Sequence, residues 1–238
     1  MRVRLPVGRT LFFLGAFALA LLVSLPLRLA LDWLNLGDRG LAAREARGSV
    51  WSGRLAEAQY GHVPLGDVDA GLSPLPLVIG RARVELERGG REQGFRGAAT
   101  VASGGFSLDD LRGRIAMGAA LAPLPVAALD LRDVTARFAD GLCAAATGAV
   151  EATLTGDAAA LMLPATLTGT ARCAEGALLL PLASQSGMEQ LSLRIWGDGR
   201  FRADLMARPS DPALSAGLEA AGFRPMGGGY AARAEGSF

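Results

Sequence analysis

The sequence predicts a mainly β protein: a single N-terminal transmembrane helix, then an antiparallel β-meander or curled amphipathic sheet, with one short C-terminal helix. Three observations carry this. Leu11 to Leu27 runs without a charge behind a basic flank. The body alternates apolar and polar residues with period two. Its 32 glycines are spread along the whole chain, and they mark many turns between short strands.

The helix comes first. Arg2, Arg4 and Arg9 precede LFFLGAFALALLVSLPL, and no acid lies among them. About 20 apolar residues cross a bilayer, with ~17 the lower limit. The basic flank stays cytoplasmic by the positive-inside rule. The expected organisation is a cytoplasmic tail over 1–10, a transmembrane helix over 11–30, a juxtamembrane linker over 31–47 and a periplasmic β domain over 48–238. Arg9 and Arg28 would bracket the span at the two interfaces, and Trp33 would sit at the outer one, where indoles are enriched. A cleaved signal peptide is the competing reading, since Ala16-Phe17-Ala18 and Ala18-Leu19-Ala20 resemble cleavage sites. Apolar sequence continuing to Leu27 argues against it.

GSVWSG (48–53) opens the body as a strand bracketed by Gly48 and Gly53. Val50 and Trp51 would then point to opposite faces. Trp51 is either a core anchor or, with Val50, a contact for a partner or for lipid.

Strict alternation follows. ARVELE (82–87) sets Ala82, Val84 and Leu86 against Arg83, Glu85 and Glu87; AVEATLT (149–155), LSLRI (191–195) and GRFRADLMA (199–207) behave alike. Such strands pack one face and wet the other, as antiparallel sheets do. In LDLRDVTARF (129–138) the apolar phase slips between Leu131 and Val134, which predicts a β-bulge or break at Arg132–Asp133. Asp198-Gly199 is a hairpin dipeptide. PLPLVIG (74–80) reads as an apolar crossing or edge segment, and LAPLPVAALD (121–130) as a loop leading into a strand. SDPALSAGLEAAG (210–222) is the helix, capped by Ser210 or Asp211 and closed by Gly222.

Cys143 and Cys173 are the only cysteines. In an exported domain they would bridge, closing a loop worth roughly 3–4 kcal/mol. Two buried free thiols are the alternative reading.

Net charge is +1, and the basic residues, all Arg, are scattered, so no nucleic acid is expected as a partner. His62 is the single histidine and no CxxC occurs, so neither a metal nor another cofactor is expected. No nucleophile elbow is present, and the chain reads as a non-enzyme.

Taken in order, the tail and helix, GSVWSG, Cys143 with TGAVEATLTG, LTGTARCAEGALLLPLASQSG (167–187), LSLRIWGDGRFRADL (191–205) and AGFRPMGGGYAARAEGSF (221–238) give the chain a specific likeness. It resembles the type II secretion system protein N family. Residues 54–140 match least. The resemblance implies an accessory, single-pass inner-membrane component of the machine that exports folded proteins across the outer membrane. Its partners would be other subunits, in the inner-membrane platform or the periplasmic part of the secretin, together with membrane lipid. It carries no catalytic residues, only the cysteine pair.

Two other functions stay open. A row of amphipathic strands can curl into a lipid-binding or lipid-transfer groove, which an open apolar inward face would mark. A terminal Phe238 after the alternating Tyr230, Ala232 and Ala234 also resembles the end of an outer-membrane barrel, although aromatics are only 6%.

Overall fold

The computed structural model describes residues 7–38, 40–90, 94–155, 163–209 and 214–237, with side chains from residue 11 onward. One antiparallel sheet of sixteen strands organises them. The strands are β1 (Leu41–Ala42), β2 (Glu45–Ser49), β3 (Ser52–Tyr60), β4 (Val63–Ser73), β5 (Ala82–Arg88), β6 (Phe95–Ala102), β7 (Gly105–Ala116), β8 (Val126–Ala139), β9 (Leu142–Leu154), β10 (Thr166–Thr170), β11 (Arg172–Ala174), β12 (Ala177–Ala183), β13 (Glu189–Ile195), β14 (Arg200–Ala207), β15 (Arg224–Met226) and β16 (Gly229–Ser237). The helices are α1 (Val7–Val23), α2 (Leu27–Trp33), α3 (Pro74–Leu77) and α4 (Leu214–Ala220). From β3 to β10 each strand pairs with the next in sequence, so the sheet is the expected meander.

The alternation reaches the core as read. Phe201, Ala203, Leu205 and Ala207 of β14 are buried, and so are Val150, Ala152 and Leu154 of β9. They join one cluster with β8, β10, β12, β13 and β16. Met117, Leu121 and Leu124, from the loop before β8, pack into it, as do Leu218 and Phe223 around α4. The phase slip in β8 is a ladder irregularity between Arg132 and Thr135, with Asp133 in the left-handed region at φ 53°. The extra residue resets the phase, so Leu129 and Leu131 before it and Val134, Ala136 and Phe138 after it all point inward.

The wet face is laced by Arg–carboxylate pairs across neighbouring strands. Arg114 and Asp130 stand opposite each other in the ladder, as do Arg202 with Glu235 and Arg233 with Asp204. Each exposed pair adds only tenths of a kcal/mol, but together they fix register.

The predicted helix near 210–222 is α4, and its C-terminus closes as a Schellman motif. The Phe223 N–H donates to the Leu218 carbonyl at 2.9 Å and the Gly222 N–H to the Glu219 carbonyl at 3.0 Å, with Gly222 at φ 89°. Its expected caps, Ser210 and Asp211, lie outside the described residues, as does Phe238.

Several expectations need correction. The apolar helix does not run from 11 to 30; it stops at Val23. Pro26 lacks an N–H and disfavours helix at Leu25, so the chain breaks and restarts as α2. No helix among the described residues is long and apolar enough to cross a membrane. The stretch 31–47, expected as a linker, carries the end of α2, β1 and most of β2, and these lie against β3. PLPLVIG is neither a crossing nor an edge. It forms α3, a single helical turn between β4 and β5, and the turn residues just after it, with Leu75, Val78 and Ile79 exposed.

Candidate functional site

The most distinctive local structure is the junction where α1 meets the sheet. GSVWSG is not a strand bracketed by glycines. It is the tip of the β2–β3 hairpin: Gly48 pairs with Gly53, Ser49 with Ser52, and Val50-Trp51 make the two-residue turn. Tight hairpin turns usually need residues with positive φ, such as Asn-Gly. Val50 and Trp51 are not among the residues with positive φ. Contacts from outside the hairpin hold this turn instead.

Those contacts come from the end of α1, from the segment just after it and from β4. The Val50 N–H donates to the Leu25 carbonyl at 3.0 Å, and the Val50 carbonyl accepts the Leu72 N–H at 2.8 Å. The Trp51 indole Nε1–H donates to the Leu22 carbonyl at 3.0 Å. The last carbonyls of a helix have no partner within it; here the hairpin satisfies one of them and holds the exit strand beyond. Ser24 closes the same end by donating its hydroxyl to the Ala20 carbonyl at 2.7 Å. Pro26 bridges to Ser49, which brings Leu27 onto the hairpin.

Close packing at the junction is bought with glycine. A Cβ on Gly53 would lie 2.6 Å from the Leu27 Cδ2 and 2.9 Å from the Ser49 carbonyl oxygen. One on Gly71 would lie 2.8 Å from the Trp51 carbonyl oxygen. Behind them Leu27, Leu55, Ala58 and Val68 form a second, smaller core, with Leu31 and Ala46 packed against it.

The expected contact residues therefore separate. Val50 is buried at 7% exposure and serves as an internal anchor, whereas Trp51 is half-buried at the surface of the junction. Arg28 is exposed on α2, where it lines a shallow cleft of about 450 Å³ with Leu31, Asp32 and Asn35. Trp33 ends α2 with 84% exposure. Arg9 lies in α1, and its side chain is outside the described residues.

Along α1, Leu11, Phe12, Phe13, Leu14, Phe17, Leu19, Leu21, Leu22 and Val23 are each more than half exposed. So apolar an exposed surface marks a contact with something apolar.

Cys143 and Cys173 form a disulfide with Cα atoms 5.5 Å apart. It ties β11, whose ladder partner is β12, to the start of β9. Beside it the Cys143 N–H donates to the Gly176 carbonyl at 2.8 Å. The stacked rings of Phe106 and Phe138, 4.7 Å apart, lie next along the sheet, with Phe138 opposite Cys143.

Ionisable groups elsewhere are structural. Arg88 is partly buried, which lowers its pKa, and it donates to the Leu65 carbonyl at 2.7 Å and the Arg114 carbonyl at 2.5 Å. It thereby ties β5 to β4 and β7. Among the described residues no group of three or more His, Cys, Asp and Glu side chains is placed to hold a metal ion.

The family match begins after α1 and α2 and covers the hairpin and the meander that follow. Residues 39–233 match the family model for type II secretion system (T2SS), protein N. The chain belongs to the type II secretion system protein N family. Among curated proteins it is similar to the type II secretion system protein N of Vibrio cholerae serotype O1 (strain ATCC 39315 / El Tor Inaba N16961). The two are 26% identical over 218 residues, covering 85% of this chain and 86% of that protein. No solved structure matches the chain. Members of the protein N family are accessory components of type II secretion, and membership implies interaction with other components of that system.

Proposed function

We propose that this protein N-family chain is a tethered accessory subunit of the type II secretion system at the inner membrane. Its α1 helix is the single-pass anchor, its N-terminus is cytoplasmic, and its β domain stands in the periplasm. The observation that carries the reading is α1 itself: apolar, exposed along its described side chains, and held at its C-terminal end by Trp51, which donates to the Leu22 carbonyl, while Val50 holds the exit strand at Leu25. At 17 described residues α1 falls short of a full-thickness span and reaches only the bottom of the range. A short span is accommodated by local thinning of the bilayer and by flanking arginines reaching to the headgroups. The disulfide supports an oxidising compartment for the domain.

In this reading the domain is a binding scaffold and not an enzyme, and it needs no cofactor. Many of its charged side chains are engaged in Arg–carboxylate pairs, several of them between neighbouring strands. Its partners are subunits of the inner-membrane platform or the periplasmic part of the secretin, met at sheet edges by strand addition. The hairpin at 48–55 does not offer such an edge, because β3 has ladder neighbours on both sides. Among the described residues the sheet ends at β1–β2 on one side and, on the other, at the short β15 and the part of β16 beyond Ala231, where the β15 ladder ends. Leu167, Leu193 and Leu205, at 0% exposure, make the inward face of the C-terminal strands a sealed core, and this supports a scaffold over a lipid groove.

Deleting the gene and following secreted proteins tests the role. The expected result is loss of folded cargo from the medium with its retention in the periplasm. Protease added to the outside of spheroplasts should degrade the β domain and leave an N-terminal tag intact. Unchanged secretion, or a protected β domain, would refute the reading.

A further inference from the structure

The α3 turn has no role in the core. Leu75 is 83% exposed, Val78 84% and Ile79 70%, and Leu77 is also exposed. Outside α1 and α2, no other described stretch exposes so many large aliphatic side chains in five residues. Exposed clusters of this kind cost solubility and mark a surface that something apolar covers.

Its position says what covers it. Leu72 donates to the Val50 carbonyl, and Val50 donates to the Leu25 carbonyl. Leu75 is three residues beyond Leu72, at most roughly 10 Å of chain. The turn therefore begins within that length of chain of the Val50-Trp51 tip on which the end of α1 docks. Val101, directly across the ladder from Ala82 at the start of β5, is also 57% exposed. From Ser73 to Ala82 there is no acidic residue, and the single charge is the exposed Arg81. Aliphatic tips, a neighbouring indole and a lone arginine suit the interface of an anionic bilayer.

We propose that α3 is a second membrane contact, with Leu75, Val78 and Ile79 inserted into the headgroup–acyl boundary of the leaflet from which α1 emerges. The occupant is lipid, and the inference rests on the reading of α1 as the anchor. Two contacts on one end of the sheet fix the orientation of the domain over the membrane, where a helix alone would leave it free to tilt. Apolar interfacial segments sit ~5–10 Å deep, a shallower position than the middle of a span.

The test uses the full chain in vesicles of phosphatidylethanolamine and phosphatidylglycerol. The native cysteines are paired, so a single introduced thiol can be labelled without reductant. An environment-sensitive fluorophore is placed in separate variants at Val78→Cys, at Phe13→Cys in α1, and at Met188→Cys in the β12–β13 turn. Nitroxide lipids report depth. The proposal expects a blue shift and several-fold quenching at position 78 by shallow nitroxides, stronger quenching at 13 by deep ones, and none at 188. Quenching at 13 with a water-like, unquenched signal at 78 overturns the α3 contact and leaves the anchor standing. No quenching at either position overturns both. A label at 78 that is shielded without nitroxide quenching shows protein covering the turn, and that also overturns the proposal.

Discussion

The Trp51 indole Nε1–H and the Leu22 carbonyl meet at 3.0 Å across 29 positions of sequence. This bond joins the exposed apolar helix α1 to the first hairpin of the sheet. Trp51→Phe keeps an aromatic ring, though a smaller one, and removes the donor. The expected cost is about 1 kcal/mol on docking of the helix end, with the sealed core of the C-terminal strands unaffected. Hydrogen exchange should show faster exchange at Val50 and Leu25, with unchanged protection in β13 and β14. Equal loss of protection in both regions would show that Trp51 supports global folding instead.

Gly71 lets β4 pass under the hairpin tip. Gly71→Ala would set a methyl group 2.8 Å from the Trp51 carbonyl oxygen, a backbone atom that cannot move without moving the turn. The expected destabilisation is roughly 1–3 kcal/mol, typical of overpacking. Thermal unfolding measures it. Gly80→Ala is the contrasting variant: nothing lies within 4 Å of its Cβ, and only its φ of 73° opposes the change. The Gly71 variant should also weaken the Leu72-to-Val50 hydrogen bond, a local effect that Gly80→Ala would not share.

How much of this was legible in the sequence depends on the range of the interactions. The strands of β9, β13 and β14 could be read because burial on one face imposes a period of two, and the β8 bulge because a phase slip is visible in a single segment. The helix at α4 could be read from its closing glycine. The β2–β3 turn could not: Val50-Trp51 carries no local turn signal, and what bends it is hydrogen bonding from Leu25, Leu72 and Leu22. The end of α1 was misplaced for a related reason. Hydropathy runs on to Leu27, but Leu27 spends its apolar side chain on the second core with Leu55 and Val68 and not on an extended span. In α3 the same ambiguity works in reverse, since an apolar run that reads as a crossing or edge segment forms an exposed turn. Pairing of the cysteines followed from the compartment, while the strands it joins did not.

The Cys143–Cys173 bridge closes a separation of 30 residues. Replacing both by Ala should cost roughly 3–4 kcal/mol on the chain-entropy model. Urea unfolding of the oxidised protein and of the Cys143→Ala/Cys173→Ala variant, with unchanged denaturant sensitivity, would measure the difference. Because β11 has only three residues paired to β12, local loss should appear first there. An unchanged midpoint would mean that the ladder to β12 and the backbone bond from Cys143 to Gly176 already hold this corner.

Acid should loosen the β3–β4 ladder. Arg54 donates to Asp69 through Nε at 2.7 Å and Nη2 at 2.8 Å, and these hydrogen bonds hold the Asp69 carboxyl below its usual range. Asp198 is held down similarly, first by the Arg200 backbone N–H and then by its side chain. A carboxyl with a depressed folded pKa binds fewer protons than its unfolded counterpart, which titrates at about 3.9. Its contribution is therefore complete above that unfolded value and disappears as pH falls through the folded one. Both pairs are exposed, so each contribution is small and screened by salt. Asp69→Asn should be less stable than the parent at neutral pH and indistinguishable from it in strong acid. Chemical unfolding from neutral pH down to strong acid, at low and at high salt, checks this. A difference that persisted unchanged into strong acid would show that Asp69 acts through packing and not through its charge.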